Sequence, residues 1–389
     1  MKHIKTITLT IMLLACSSPF EFEHINSVGQ QLVIEGYLTN LNGRRHSVRI
    51  NRPVAIDNKK NEAVEYVRNA IVNIVDDQGG VIELKYYKDG LYQTDSLAKA
   101  VPGKVYKLIV ETEDGQRYES AYEALSKPSS NPARINFRYD QVEQVIGDEV
   151  FLDSMVVISA HNDSWAEEQY YRWEIGEYFI IDADRMKDRN TQTSPSIEEE
   201  LGRREQRFRN CFVRDYSPEV LPLFDVSNQK LLNNSSYDIH NITLNGRFEQ
   251  QFVIEAYQLS LSQEAFSYWR ALKDLVSNQG GIFDTAPYPV KGNINRVDAD
   301  GKSNPILGYF GVHSASVDRV FITLEDLGIY GVTYNETCLV SSLLDTCGPG
   351  QACADFGYWL HPCYDCRSDE NYFENYKNKP PKWWRERFE

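Results

Sequence analysis

The chain has 389 residues, 42% hydrophobic and 25% charged, which excludes a wholly disordered protein and predicts two or three domains. Lys and Arg total 41 against 56 Asp and Glu, a net charge of −15. A field of that sign repels phosphate backbones, so nucleic acid is not an expected partner. Tyrosines outnumber glycines, 24 to 23, a composition suited to strands and to aromatic contact surfaces.

The chain opens on Lys2 and Lys5, then a short apolar run through Leu13-Leu14-Ala15 to Cys16. A basic start and a brief hydrophobic core predict a secretory signal over 1–15, too short to span about 30 Å of hydrocarbon. Leu13-Leu14-Ala15-Cys16 resembles a bacterial lipobox, with Leu14 bulkier than usual there. The resemblance implies cleavage before Cys16 and acylation of that residue, with each buried methylene contributing about 0.8 kcal/mol to membrane anchoring. Residues 16–27 read as a lipidated tether, and Glu21 and Glu23 weakly resemble acidic export signals of Bacteroidota surface lipoproteins.

From 28 to 125 short alternating runs are separated by turn residues. Val33–Leu38, His46–Ile50, Ala70–Val75, Val81–Leu84 and Val105–Val110 read as strands. Asp76-Asp77-Gln78-Gly79-Gly80, Asp89-Gly90 and Asp114-Gly115 read as turns that need positive φ. The spacing predicts a β-sandwich, and the series resembles immunoglobulin-like or carboxypeptidase-regulatory modules. Residues 126–133, rich in Pro and Ser, predict a linker.

A larger β-rich domain is expected over 134–337. Val150–Ala160, Tyr170–Ile181, Phe252–Leu259, Ile306–Ser316 and Arg319–Leu324 read as strands, and 183–210 as a polar loop or solvated helix. A helix is predicted over 260–279. Ser260 and Gln263 suggest a capping box, Ala265, Trp269, Leu272 and Val276 share one face, and Gly280-Gly281 ends it. That face reads as core packing.

Residues 338–389 form a Cys-rich C-terminal segment. Setting Cys16 aside, Cys211, Cys338, Cys347, Cys353, Cys363 and Cys366 are disulfide candidates in an exported chain. Zinc is the rival reading, from Cys347, Cys353, Cys363 and Cys366 with His361, but only one Cys-x2-Cys pair is present. No metal or other cofactor is assigned.

Catalytic signatures are not found. There is no Gly-x-Ser-x-Gly elbow and no His-Glu-x-x-His pair. Gly301-Lys302-Ser303 mimics the end of a phosphate loop, but Arg296 stands where its first glycine belongs. Asp298-x-Asp300-Gly301 lacks the ligands of a calcium loop. No two of the seven histidines stand at i, i+4. The chain is therefore read as a non-enzyme. A hydrolase using carboxylates without a sequence signature remains the third reading. Asp95-Ser96-Leu97, Asp153-Ser154-Met155 and Asp284-Thr285-Ala286 resemble Bacteroidota O-glycosylation triplets, which makes Ser96, Ser154 and Thr285 candidates.

Several segments together resemble one family, the Bacteroidota outer-membrane lipoproteins grouped as domain of unknown function 4249. They are Val33–Asn40, Gly90-Leu91-Tyr92, Gly103–Tyr106, Tyr170–Glu174, Tyr257–Ser262 with Trp269, Gly281–Asp284, Gly292-Asn293-Ile294, Leu307–Phe310, Cys363–Arg367 and Lys379–Trp384. The resemblance implies association with TonB-dependent outer-membrane receptors, and it carries no catalytic residues across. The expected function is a lipid-anchored accessory or substrate-capturing subunit of a TonB-dependent nutrient transporter, facing the cell surface. A free-standing glycan- or peptide-binding lipoprotein is the alternative. Trp383 and Trp384 are the candidate partner contacts, unless they pack back on the second domain.

Overall fold

The computed structural model describes residues 32–53, 64–129, 132–146, 149–162, 170–182, 210–216, 223–225, 235–277, 290–298, 301, 303–330, 376–377 and 382–385. Cys16, the five cysteines from 338 to 366 and Thr285 lie outside them.

The N-terminal strands are Val33–Thr39 (β1), Ser47–Pro53 (β2), Val64–Tyr66 (β3), Ile71–Asp76 (β4), Val81–Lys88 (β5), Leu91–Gln93 (β6), Val105–Glu111 (β7), Arg117–Ser120 (β8) and Glu123–Ala124 (β9). Period-2 patterning decides which side chains go in. In β7, Tyr106, Leu108 and Val110 are buried; in β4, Val72 and Ile74 are buried while Ile71 faces out. The turns read from sequence are present. Asp76 Oδ1 accepts from the amides of Gln78 and Gly80. Asp89 and Gly90 adopt φ of 48° and 70°, the left-handed pair that a tight hairpin between β5 and β6 needs.

The middle strands are Arg134–Ile146 (β10), Glu149–Asn162 (β11), Tyr170–Asp182 (β12), Asn210–Tyr216 (β13), Leu223–Asp225 (β14), Ser235–Thr243 (β15) and Phe252–Leu261 (β16). After the helix Gln263–Ser277 (α1) come Ile294–Val297 (β17), Ser303–Pro305 (β18), Phe310–His313 (β19), Ala315–Ile322 (β20), Tyr376–Lys377 (β21) and one helical turn, Lys382–Arg385 (α2). The mainly β architecture is the one expected.

One 12-stranded sheet, in the order β18-β17-β8-β7-β4-β5-β6-β2-β1-β19, with β3 on β2 and β9 on β7, curls around a single core. Strand β5 joins its two layers, pairing with β4 on one side and β6 on the other. Ile34, Leu38, Val48, Ile50, Ile74, Leu108 and Phe310 fill the core.

Three strands of this sheet come from 294–313, a stretch the sequence reading placed in the second domain. Strand β19 runs parallel to β1, with Gly36 opposite Phe310 and Thr39 opposite His313. Strand β17 closes the other end against β8. Gly308 makes the first junction feasible: its φ is +117°, and a Cβ there would lie 1.9 Å from the Ile34 carbonyl oxygen. A boundary at 126 therefore marks where the chain leaves the first module, not where the module ends. Ser126, inside the expected linker, is itself stitched down. Its hydroxyl donates to the Ser260 carbonyl and accepts from the Ser314 amide.

The second module packs two sheets. Strands β10, β11 and β15 form one; β20, β16, β12, β13 and β21 form the other, with β14 on β12. Between them lie Ile135, Val156, Ile158, Trp173, Ile175, Phe248, Phe252 and Ile254. All ten residues of β16 are buried.

Helix α1 begins at Gln263, three residues later than the expected start. Ser260 lies in β16, and Ser262 caps the helix, its hydroxyl accepting from the Ala265 amide. The pairing of β16 with β12 and β20 holds the chain extended through Leu259 and beyond, overriding the local capping signal. Ala265, Phe266 and Tyr268 are buried with Leu259 and Tyr309, and Trp269 and Leu272 pack at the edge. Among the described residues no helix is long and apolar enough to cross a membrane.

Candidate functional site

Alternation along β12 sends Trp173 and Ile175 into the core between the sheets and Arg172, Glu174 and Tyr178 to the opposite face. Register then builds the rest of that face. Glu174 sits opposite Tyr257, Gly176 opposite Glu255, and Glu255 opposite Arg319. This polar row is covered at both ends.

One end lies beneath the N-terminal module and α1. Tyr37, on β1, donates its hydroxyl proton to Glu174. Arg44 Nη2 donates to the same carboxylate oxygen at 2.5 Å, and the Arg44 guanidinium lies 4.0 Å from the centre of the Tyr257 ring. Arg172 stacks 3.8 Å above the Trp269 ring of α1, with Nη2 3.8 Å from Glu174 Oε1. Tyr268 donates to Glu35, and the Tyr37 ring is 6.0 Å from that of His313. Burial alone would push the Glu174 carboxyl up. Arg44, Arg172 and the Tyr37 hydroxyl outweigh it and hold the group below its usual range. Burial, with Arg44 adding to it, depresses His46 to about 4, against an opposing bond to the Ala98 carbonyl. His313 falls to about 3 through burial and the Arg172 charge. Both rings are neutral at pH 7.

The other end lies beneath α2. Glu255, almost fully buried, accepts from the Tyr178 hydroxyl at 2.8 Å, from Tyr257, and from Arg319. The Arg319 guanidinium lies 4.5 Å from the centre of the Trp383 ring. Trp384, 3% exposed, packs on Val253, Phe212 and Phe321. Cations, carboxylates and rings thus run without a break from Trp269 through Arg172, Glu174, Arg44, Tyr257, Glu255 and Arg319 to Trp383. A separate buried group, Glu177 with His240 at 2.8 Å and Arg247 at 2.5 Å, ties β12 to β15 and to the turn at Gly246–Phe248.

Open surface is found on the first module. A cleft of about 590 Å³ is lined by Arg45, Val81, Glu83, Lys85, Tyr86, Tyr87, Asp95 and Leu97, among others. Val81 and Leu97 are 64% and 86% exposed, and Tyr86 and Tyr87 are exposed beside them. Asp95 Oδ1 accepts from the amides of Leu97 and Ala98, a turn that holds Leu97 outward.

The structure places the residues named from sequence as follows. Ser96 is exposed at the rim of this cleft, between lining residues Asp95 and Leu97. Ser154 lies on β11 with its hydroxyl 2.8 Å from that of Tyr139. Trp383 and Trp384 sit on the chain's own second module. Cys211 is on β13. Cys16, Thr285 and the remaining cysteines lie outside the described residues. Among the described residues no group of three or more His, Cys, Asp or Glu is placed to hold a metal ion. Sequence reasoning missed Arg44, Arg172, Glu174 and Glu255. For Arg172, Glu174 and Glu255 the one legible signal was charge within otherwise strongly apolar strands; Arg44 lies in the loop between β1 and β2 and carries none.

Two β modules interlocked through shared strands, with an ionic seam between them, define the architecture. The chain matches the family model of domain of unknown function 4249 (DUF4249) over residues 17–319, and it belongs to that family. The match spans the seam from Tyr37 to Arg319 and stops short of α2. No curated protein matches the chain.

Proposed function

We propose that this protein is a lipid-anchored accessory or substrate-capturing subunit of a TonB-dependent outer-membrane transporter. The observation that carries the reading is the exposed cleft of Val81, Tyr86, Tyr87 and Leu97 on a β body that follows a Leu13-Leu14-Ala15-Cys16 signal. An acylated Cys16 confines the body to a membrane surface and raises its effective concentration beside a membrane partner. Clustered exposed aliphatic and tyrosine side chains, rimmed by charge, suit a contact patch. The seam holds the two modules in one arrangement, so little ordering is required on contact. The same tyrosines also suit a second reading, a free-standing lipoprotein that captures a glycan or peptide.

Tagged protein extracted from outer membranes in mild detergent tests the reading. A large barrel protein should co-purify, and Val81→Asp with Leu97→Asp should release it while the fold is kept. Cys16→Ala should abolish membrane retention. Migration as an isolated chain, with no barrel enriched over control, rejects the transporter reading and leaves the ligand-capturing one.

A further inference from the structure

We propose that the junction between the modules is a binding site for a small oxyanion, a carboxylate or phosphate, held by Arg172, Arg44 and Trp269. The cluster leaves four N–H donors without an acceptor. Glu174 is already committed: one oxygen accepts from Tyr37 and Arg44, and the other faces Arg172 Nη2. Glu35, the second carboxylate near Arg172, accepts from Tyr268. Yet Arg172 Nε and Nη1, Arg44 Nη1 and Trp269 Nε1 are all buried with no acceptor among the described residues.

These four nitrogens have no alternative role. Guanidinium and indole N–H groups donate and never accept, so only an acceptor satisfies them. Stacking of Arg172 on Trp269 occupies the face of the guanidinium and leaves its in-plane Nε and Nη1 groups unused. Arg172 is 7% exposed, and charged donors so placed are costly to leave unmatched. A planar fork of N–H groups matches the two oxygens of a carboxylate or phosphate. Arg44 and Glu174 keep 17% and 15% side-chain exposure, so the edge of the junction reaches solvent. Two arginines face two carboxylates, Glu174 and Glu35, so the attraction for an oxyanion comes from the unmatched N–H groups and not from net positive charge. The junction's components come from both modules, so an oxyanion bound there bridges them.

The test is thermal unfolding of the full-length lipoprotein in detergent, at constant ionic strength. Sodium acetate and sodium phosphate are titrated separately, with acetamide as the uncharged counterpart of acetate and chloride as the background salt. A saturable rise in Tm is expected with acetate, with phosphate, or with both, which tells the two sources apart, and none with acetamide. Trp269→Phe keeps the ring under Arg172 and removes one donor; it should weaken the response at least tenfold. Arg172→Lys keeps the charge and removes the fork, and should abolish it. If Arg172→Lys does not fold, Trp269→Phe alone decides. Absence of a saturable response to either anion, an equal response to acetamide, or an undiminished response in Trp269→Phe overturns the proposal.

Discussion

Arg44 and Glu174 stand 130 positions apart in sequence and 2.5 Å apart in space, and their bond is the centre of the seam between the modules. Tyr257 lies against one face of the same guanidinium, so a loop of the first module is clamped by two strands of the second.

Glu174→Ala should destabilise the protein by about 3–5 kcal/mol, because it leaves Arg44 and Arg172 buried without their carboxylate. Arg44→Ala should cost less, since Arg172 still faces Glu174. The double variant should be more stable than the sum of the two losses predicts. Chemical denaturation of all four proteins, read as a double-mutant cycle, checks this.

Trp384→Ala should cost about 3–5 kcal/mol, the usual loss for removing a buried tryptophan. Trp383 is only half-buried and stacks on Arg319, so its alanine variant should cost about 1–2 kcal/mol. Denaturant midpoints distinguish the two.

Gly308→Ala places a Cβ against the Ile34 carbonyl in a backbone conformation that alanine resists. Loss of about 2–4 kcal/mol is expected, with hydrogen exchange faster first in β1 and β19. Gly301→Ala, also at positive φ but in open space, should cost only about 1 kcal/mol.

His46 and His313 give acid sensitivity. Their folded pKa values, about 4 and about 3, lie below the ordinary 6.5, so the unfolded chain binds more protons. Their contribution is complete above pH 6.5 and is lost as pH falls below it, by about 1.4 kcal/mol per pH unit per histidine between the unfolded and folded values. Unfolding free energies from pH 7 to pH 5 should fall accordingly, and His313→Gln should flatten the slope by one proton.

Much of the fold could be read from local chemistry. Asp76–Gly80 and Asp89-Gly90 announced their turns because such turns need residues that tolerate positive φ. The face Ala265–Trp269–Leu272 announced its helix because the period of 3.6 is local. The pairing of β1 with β19 could not be read. It is a parallel contact between two short strands more than 270 residues apart, and nothing in Phe310-Gly311-Val312-His313 specifies its neighbour. The burial of Arg172 and Glu174 could not be read for a different reason. Alternation reports which face of a strand is polar, but not whether another module will later cover that face.

The parallel pairing of β1 with β19 also has a consequence for biogenesis. A chain synthesised from its N-terminus delivers β1 early, but its partner arrives only once residue 313 has been made. Until then one edge of the first sheet is unpaired, and β8 likewise waits for β17. The N-terminal module is thus the first to emerge and among the last to close, and a chain stalled near residue 125 would display two sticky edges to the chaperones and proteases around it. Expression of 28–125 alone should give an aggregating fragment, and adding 290–313 as a separate peptide should rescue its solubility.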